Sequence, residues 1–200
     1  PDMTFYSKVD LSEKVVSEDI GVSDSVYIEL SEELFELCIG NNYKYFPALT
    51  SPKIRLNSVR NIARYLKHSV FVSIKFLLYK LGLKFSHQIV RAFFYVGNYQ
   101  DYIQEISRLN FLIAGRYHSL CFALKTLTPF VAIKSNSHKI EGMLHDIGIG
   151  EKRIIDRQNL NQFHMEEFFE DEIDKILTYV DNAPLQIEVM FEEIRGILDK

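Results

Sequence analysis

The stretch FLIAGRYHSLCFALKTLTPFVAI, residues 111–133, alternates apolar runs with a Gly-Arg-Tyr-His step and a Thr-Pro turn. Its first part, FLIAG, is typical of a buried strand, SLCFALKTL of a helix, and FVAI of a second strand. Strand, helix and strand in this order form a βαβ unit, whose parallel strands are joined by a right-handed crossover. The stretch therefore predicts an α/β fold with a Rossmann-like parallel sheet and flanking helices.

The chain beyond this unit continues the alternation, so we expect a Rossmann-like domain over residues 105–200. HKIEGMLHDIG predicts a helix that ends at Gly148, and KRIID predicts a third strand. PLQIEVMFEEIRGIL predicts a final helix with an apolar stripe. We expect that stripe to be partly exposed and to promote self-association. Its residues are Ile187, Met190, Phe191, Ile194 and Ile197.

The first half of the chain has a different pattern. Residues 1–28 are interpreted as a connector from an N-terminal domain that this chain lacks, and residues 29–104 as a mainly helical basic segment. Ser31 is expected to cap a helix that runs through Cys38 and stops at Gly40, before the loop NNYKYFPALTSPK. Further on, helical spacing predicts two amphipathic helices between residues 59 and 81, and SHQIVRAFFYVG predicts a third.

Charge is distributed unevenly along the chain. The net charge is only -4, yet no Asp or Glu occurs from Leu37 to Gln100, where there are ten Lys and Arg residues. The rest of the chain therefore has 23 - 10 = 13 cations against 27 acids. One interpretation is a solvated basic face; the other is an amphipathic surface that binds an anionic membrane. The second interpretation assigns membrane contact to Arg60, Arg64, Lys67, Lys75, Lys80 and Lys84.

Composition excludes several classes of protein. The chain is 47% hydrophobic and long enough to bury a core, but its longest stretch without a charged residue, 92–100, is far shorter than the roughly 20 apolar residues of a spanning helix. Cys38 and Cys121 lie in apolar helical patterns, which favours buried thiols in a reducing compartment. The cytoplasm is the expected reducing compartment. No phosphate-loop, dinucleotide-binding or metal-ligand motif occurs, so we expect no metal or cofactor, and we expect no nucleic-acid partner.

The Gly-Arg-Tyr-His step lies where a strand ends and a helix begins. Ligands of parallel α/β sheets bind at this edge, and a helix N-terminus favours anions through its free N–H groups and partial positive charge. Arg116 adds donors suited to phosphate or carboxylate, and His118 adds a group that transfers protons near neutral pH. The pattern favours a phosphorylated or carboxylated ligand, although an Arg or His here can also be purely structural.

The sequence FLIAGRYHSLCFALKTLTPFVAIKSNSHKIEGMLHDIGI resembles the C-terminal domain of the polysaccharide pyruvyl transferase family. In that family a strand runs into Gly-Arg-x-His and a helix, followed by a strand that starts with Pro and a short loop that reaches a Lys. The resemblance covers roughly residues 105–150, and extends more weakly to PDMTFYS and GVSDSV. It implies one half of a two-domain, glycosyltransferase-like fold that transfers pyruvate from phosphoenolpyruvate to sugar hydroxyls, as a ketal, in surface polysaccharide biosynthesis.

The resemblance also implies site residues. It makes His118 catalytic, either as the acid that protonates the methylene carbon or as the acid on the phosphate side. Phosphoenolpyruvate is the donor substrate, no cofactor or metal is required, and this chain is expected to be incomplete and inactive alone. The implied donor-binding positions are Gly115, Arg116, Tyr117 through its backbone, Ser119 and Lys139.

Two other classes of function stay open. A glycosyltransferase or sugar-nucleotide enzyme would place a nucleoside diphosphate at the same helix N-terminus and would need an acidic residue for the ribose, for which Glu141 is the candidate. A non-catalytic module would dock on a membrane or glycan. The expected partners are phosphoenolpyruvate, a sugar or lipid-linked glycan acceptor, the inner face of an anionic membrane, and a second copy of the chain.

Overall fold

A computed structural model describes residues 2–6, 14–47, 74, 77–78, 99–134 and 138–198. Within these ranges, a single sheet of five strands is formed by β1 (Ile20–Ser23), β2 (Lys44–Phe46), β3 (Phe111–Ala114), β4 (Phe130–Ile133) and β5 (Ile154–Ile155). All neighbouring pairs are parallel and their order is β2-β1-β3-β4-β5. The predicted α/β fold with a Rossmann-like sheet is confirmed.

Helices cover both faces of the sheet. They are α1 (Ile28–Gly40), α2 (Tyr99–Ser107), α3 (Tyr117–Lys125), α4 (Lys139–Ile147) and α5 (Glu170–Leu198). Phe111 and Ile113 of β3 pack in the cluster that contains α1, whereas Leu112 and Ala114 pack in the cluster that contains the other four helices. Because successive side chains of a strand point to opposite faces, two covering layers bury every residue of β3 and β4.

The predicted βαβ unit is present as β3, α3 and β4, and the next predicted helix and strand are α4 and β5. Gly148 ends α4 with a φ of 80°, a left-handed conformation that glycine adopts at little cost. Cys38 and Cys121 are free and buried, as predicted. Burial raises the pKa of each thiol to about 12, so both thiols are protonated near neutral pH.

Two strands come from segments that were not expected to join the sheet. β1 lies within the expected connector, and β2 lies within the predicted loop, yet Val22 pairs with Ile113 on one side and with Tyr45 on the other. The expected boundary at residue 105 therefore does not describe the sheet, which begins at Ile20. Unlike the wholly apolar FLIA and FVAI, the strands IGVS and KYF include glycine and serine or lysine, so no continuous apolar run marked them in the sequence.

The limits of two helices also differ from the prediction. Ser31 does not cap α1, which begins three residues earlier; its hydroxyl donates to the Ser25 carbonyl and accepts from the Ser25 N–H, both at 2.9 Å. The final helix does not begin at Pro184, because α5 starts at Glu170 and continues through that proline. Pro is common in a first helical turn, which made it a misleading start signal.

Most of the acid-free segment lies outside the described residues. Ile74, Leu77 and Leu78 are helical, as predicted. The six cations assigned to membrane contact, and the helix predicted from SHQIVRAFFYVG, fall outside the described ranges. No helix within those ranges is long and apolar enough to cross a membrane.

Candidate functional site

The candidate site lies at the carboxyl edge of the sheet, between β1 and β3. From β1 the chain proceeds through α1 to β2 on one side, whereas β3 leads to β4 and β5 on the other. Parallel α/β sheets bind ligands beyond the strand ends at such a reversal of strand order. Ser23 is the last residue of β1, and Asp24 and Ser25 follow it. Gly115 and Arg116 follow β3, and hydrogen bonds join these two strand ends at the reversal.

Gly115 allows the two strand ends to approach closely. A Cβ atom at this position would lie 2.7 Å from the Asp24 carbonyl oxygen, 2.7 Å from Leu34 Cδ1 and 3.0 Å from the Ser23 carbonyl oxygen. The Gly115 N–H also donates to the Ser23 hydroxyl at 2.9 Å. Glycine is required here because a side chain would push the end of β1 away from the end of β3.

Arg116 and Asp24 form a bidentate ion pair across the reversal. Nε donates to Oδ1 at 2.5 Å, Nη2 donates to Oδ2 at 2.8 Å, and Nη2 also donates to the Ser25 carbonyl at 3.1 Å. The Asp24 side chain is 1% exposed and that of Arg116 is 24% exposed. Burial lowers the pKa of Arg116, but the hydrogen bonds and charge of Asp24 outweigh burial and raise it.

This ion pair limits what Arg116 offers a ligand. Two of its three nitrogens are directed at Asp24 and Ser25, whereas no acceptor among the described residues bonds Nη1. The charge of the guanidinium is largely balanced by the carboxylate. Arg116 is therefore a fixed, paired guanidinium rather than a free cation, and Nη1 is the nitrogen that it can offer a ligand.

The N-terminus of α3 supplies the same edge with backbone donors that bond no described residue. Its first helical hydrogen bond runs from the Leu120 N–H to the Arg116 carbonyl at 3.2 Å, so the N–H groups of Tyr117, His118 and Ser119 precede the helical ladder. The side chain of the N-cap residue, Arg116, makes no capping hydrogen bond. These donors and the helix dipole favour an anion at this turn.

The side chains of this first turn point in different directions. His118 is exposed, at 66% of its side-chain surface. Tyr117 packs against the core, and burial raises the pKa of its phenol. The Ser119 hydroxyl is buried 3.0 Å from the Tyr102 hydroxyl, which itself donates to the Phe46 carbonyl. Tyr117 and Ser119 thus offer backbone N–H groups to a ligand, whereas His118 offers its ring.

Asp2 is a member of this site that sequence reasoning missed. One carboxylate oxygen accepts from the Thr4 N–H at 2.9 Å and from the Thr4 hydroxyl, and the other lies 4.0 Å from His118 Nε2. Burial raises the pKa of Asp2, but the Thr4 hydrogen bonds together with the positive charges of His118 and Lys139 outweigh it and lower the pKa. The weak resemblance of PDMTFYS to the family was the only signal of its role.

Lys139 joins the site from the neighbouring strand. It is the first residue of α4, which follows β4, and its side chain is exposed. Its charge acts on Asp2, as does that of His118, so the structure brings the two predicted cations to one carboxylate. The Ser-Asn-Ser stretch between β4 and His138 lies outside the described residues.

The described residues give little support to a nucleotide site, a metal site or a ligand cavity formed by the predicted residues. Both carboxylate oxygens of Glu141, the candidate ribose ligand, are inaccessible to solvent and accept no hydrogen bond from a described residue. No group of three potential metal ligands occurs in the described part of the chain. Cavities of about 370 and 390 Å³ lie between α4 and α5 and beside α1, and neither is lined by a predicted site residue.

Comparison with known proteins agrees with the geometry. The model of the family described as Polysaccharide pyruvyl transferase matches residues 1–137, more than half of the chain. The match includes Asp2, the strands β1 to β4 and the Gly-Arg-Tyr-His step, and it ends just before Lys139. Neither the curated proteins nor the solved structures include a significant match. The sequence motif, the parallel sheet and the extent of this match together show that the chain belongs to the polysaccharide pyruvyl transferase family.

Proposed function

We propose that the protein transfers pyruvate from phosphoenolpyruvate to sugar hydroxyls, as a ketal, in the biosynthesis of a surface polysaccharide. The observation that carries this proposal is the uncapped N-terminus of α3 at the strand-order reversal, with His118 and Lys139 beside it and Arg116 fixed at its cap. Membership of a transferase family supports the reaction type.

The donor set suits the charges of phosphoenolpyruvate, which has a phosphate and a carboxylate. The three free N–H groups of the α3 turn would bind one anionic group, as helix N-termini do. Lys139 would approach as a mobile point charge, and Arg116 Nη1 would contribute one fixed donor. Two kinds of cation at neighbouring strand ends can therefore hold the two ends of a small dianionic or trianionic donor.

The reaction consumes two hydroxyls of the acceptor. One hydroxyl oxygen bonds to C2 of phosphoenolpyruvate while the acid delivers a proton to the methylene carbon, which becomes a methyl group. The proton that this hydroxyl loses returns to the acid, so the first step leaves the acid protonated again. The second hydroxyl oxygen then bonds to C2 as the C2–O bond to phosphate breaks, and its proton leaves with the phosphate. The products are the pyruvate ketal and inorganic phosphate, so a proton donor and a site that stabilises departing phosphate are both needed.

His118 would supply the proton, either to the methylene carbon or to the leaving phosphate. Its imidazole is the exposed titratable group of the α3 turn, and it stands beside the N–H groups that would bind the donor. A positioned general acid contributes roughly 10²–10⁴-fold to a rate. Arg116 and the α3 N-terminus would stabilise the negative charge that shifts onto phosphate, because they are oriented before the reaction.

The test is phosphate release from phosphoenolpyruvate by the full-length protein with a panel of sugar diols. His118→Ala should lower kcat about 100-fold or more while the Kd for phosphoenolpyruvate changes little. Arg116→Ala should weaken donor binding as well as turnover. His145→Ala is the matched control, since that imidazole is 91% exposed and lies in the last turn of α4, at the opposite end of the helix from Lys139. Unchanged turnover in His118→Ala would end the proposed acid role.

We also propose a cytoplasmic location, with reversible attachment to the inner face of the membrane. The two free, buried thiols support a reducing compartment. The excess of Lys and Arg between Leu37 and Gln100 supports attachment to anionic lipid, where each basic residue contributes about 1 kcal/mol. Such attachment would bring the enzyme to a lipid-linked glycan acceptor.

A further inference from the structure

Asp2 is an acidic residue inside a site built to bind an anion. Its carboxylate lies 4.0 Å from His118 Nε2, and it is close enough to Lys139 for both cations to act on its pKa. A carboxylate here repels an anionic donor, so it weakens donor binding. Its presence therefore needs an explanation in terms of the groups around it.

Asp2 is held firmly in place. One oxygen caps the 3₁₀ turn Met3–Phe5 by accepting from Thr4, which leaves the other oxygen directed at His118. Phe5 is 2% exposed and packs edge-to-face on Tyr179 at 5.4 Å. The Thr4 carbonyl accepts from the buried Lys125 at 2.6 Å. A segment anchored by the core, an aromatic contact and a lysine fixes the carboxylate beside the imidazole.

We propose that Asp2 is a positioning residue for His118: it orients the imidazole through Nε2 and stabilises the imidazolium that donates the proton. The proposal rests on the proposed function, in which His118 is the acid. The 4.0 Å separation is longer than a hydrogen bond, and such contacts in ligand-free sites often tighten when the substrate binds. Asp2 thus orients His118 and stabilises the imidazolium that acts as the acid, whereas its negative charge opposes binding of the anionic donor.

These two opposite effects give Asp2 a kinetic signature that a merely structural residue would not have. Asp2→Asn removes the charge but keeps the Thr4 cap, because Asn and Asp cap helices about equally well. In the full-length protein this substitution should lower kcat about tenfold and also lower the KM for phosphoenolpyruvate, since repulsion of the donor is lost. Loss of structure would instead raise KM. Asp171→Asn, which removes a carboxylate from the surface of α5, is the matched control.

A spectroscopic test separates this proposal from the proposed function. In the histidine-labelled protein at about pH 8.5, where an ordinary imidazole is neutral, ¹⁵N NMR reports the tautomer of each ring. The chain has six histidines, and loss of one signal in His118→Ala identifies the ring of interest. We expect His118 to favour the Nε2–H tautomer, and Asp2→Asn to reduce that preference.

Each combination of results is decisive. A changed tautomer without pyruvyl transfer by the native protein would support the Asp2–His118 pairing but overturn the proposed function. Pyruvyl transfer by the native protein with kcat, KM and the His118 tautomer all unchanged in Asp2→Asn would overturn the role of Asp2 alone. A raised KM with an unchanged tautomer would show that Asp2 is only structural, and would also overturn the inference.

Discussion

Gly115 determines how closely the two strand ends of the site approach each other. Gly115→Ala should destabilise the protein by about 1–3 kcal/mol, because the new methyl group would meet backbone oxygens of Ser23 and Asp24 that cannot move independently of β1. The same displacement should separate Asp24 from Arg116 and weaken binding of phosphoenolpyruvate. Urea unfolding monitored by circular dichroism measures the first effect, and calorimetric titration measures the second.

Gly142 provides the control for this substitution. It lies within α4, and a Cβ atom there would meet nothing within 4 Å. Gly142→Ala should therefore stabilise the protein by about 0.5–1 kcal/mol, as expected for an exposed helical position. Equal stability changes in the two variants would show that the close approach at Gly115 is not a real constraint.

Some residues of the site were predictable and others were not, for a physical reason. Gly115, Arg116 and His118 belong to one strand-to-helix turn, so their local order indicated a binding edge. Asp24 and Asp2 reach the same edge from positions 92 and 116 residues earlier than Arg116 and His118, and no local pattern reports such contacts. Only the fold reveals that Arg116 is paired, and that the Ser119 hydroxyl faces the core.

A buried ion pair attaches the helix α5 to the sheet. Arg153, just before β5, donates to Glu172 in the first turn of α5 at 2.7 Å, and the side chains are 5% and 7% exposed. Arg153 also donates to the Glu166 and Glu167 carbonyls and lies over the Phe168 ring at 4.4 Å. The pair therefore holds both the start of α5 and the segment that precedes it.

Glu172→Gln should destabilise the protein by about 3 kcal/mol, because it leaves a buried guanidinium without its counter-charge. The control is again Asp171→Asn, whose exposed partner is Lys175 in an i, i+4 pair, so stability should hardly change. Burial raises the pKa of Glu172, but the hydrogen bonds from Arg153 and Phe169 outweigh it and lower the pKa. The stability that this carboxylate contributes is complete above its unfolded value of about 4.3 and is lost as pH falls through the lower folded value.

Acid unfolding measures this effect. The native protein should lose stability more steeply than Glu172→Gln below about pH 4, because the variant has no proton to take up at this position. Parallel curves for the two proteins would show that the ion pair does not contribute to stability.

The elements found from the sequence were those with a clear local signal. The strands β3 and β4 are wholly apolar, and the helix α4 has apolar residues at helical spacing and a definite stop at Gly148. β1 and β2 depend on pairing with β3 and with each other, which only tertiary structure supplies. The apolar positions of α5 before Pro184, including the buried Ile176, belong to the same helix, although proline usually interrupts one.

The C-terminal end of α5 extends beyond the packed core. Ile187 is buried, whereas Met190, Phe191, Ile194 and Ile197 are exposed, at 43% to 71%. This matches the expected, partly exposed stripe. A continuous apolar helix face in water favours association. We therefore predict concentration-dependent self-association of the 200-residue chain, detected by sedimentation velocity.

Phe191→Glu combined with Ile194→Glu should shift the 200-residue chain toward monomer without changing its helix content. Both side chains are exposed, so their replacement leaves the core intact. Glu29→Gln, in the first turn of α1, is a control for altered surface charge. A native chain that sediments as a monomer at every concentration would contradict the prediction.

Calorimetric titration of the full-length protein with phosphoenolpyruvate and, separately, with UDP-glucose tests whether the edge between β1 and β3 binds phosphoenolpyruvate. We predict saturable binding of phosphoenolpyruvate, at least about tenfold weaker in Lys139→Ala, and unchanged in Lys152→Ala, which removes an exposed lysine elsewhere. No saturable binding of UDP-glucose is expected. This edge would not be the phosphoenolpyruvate site if the protein bound UDP-glucose but not phosphoenolpyruvate. The same conclusion would follow if Lys139→Ala bound phosphoenolpyruvate as tightly as the native protein.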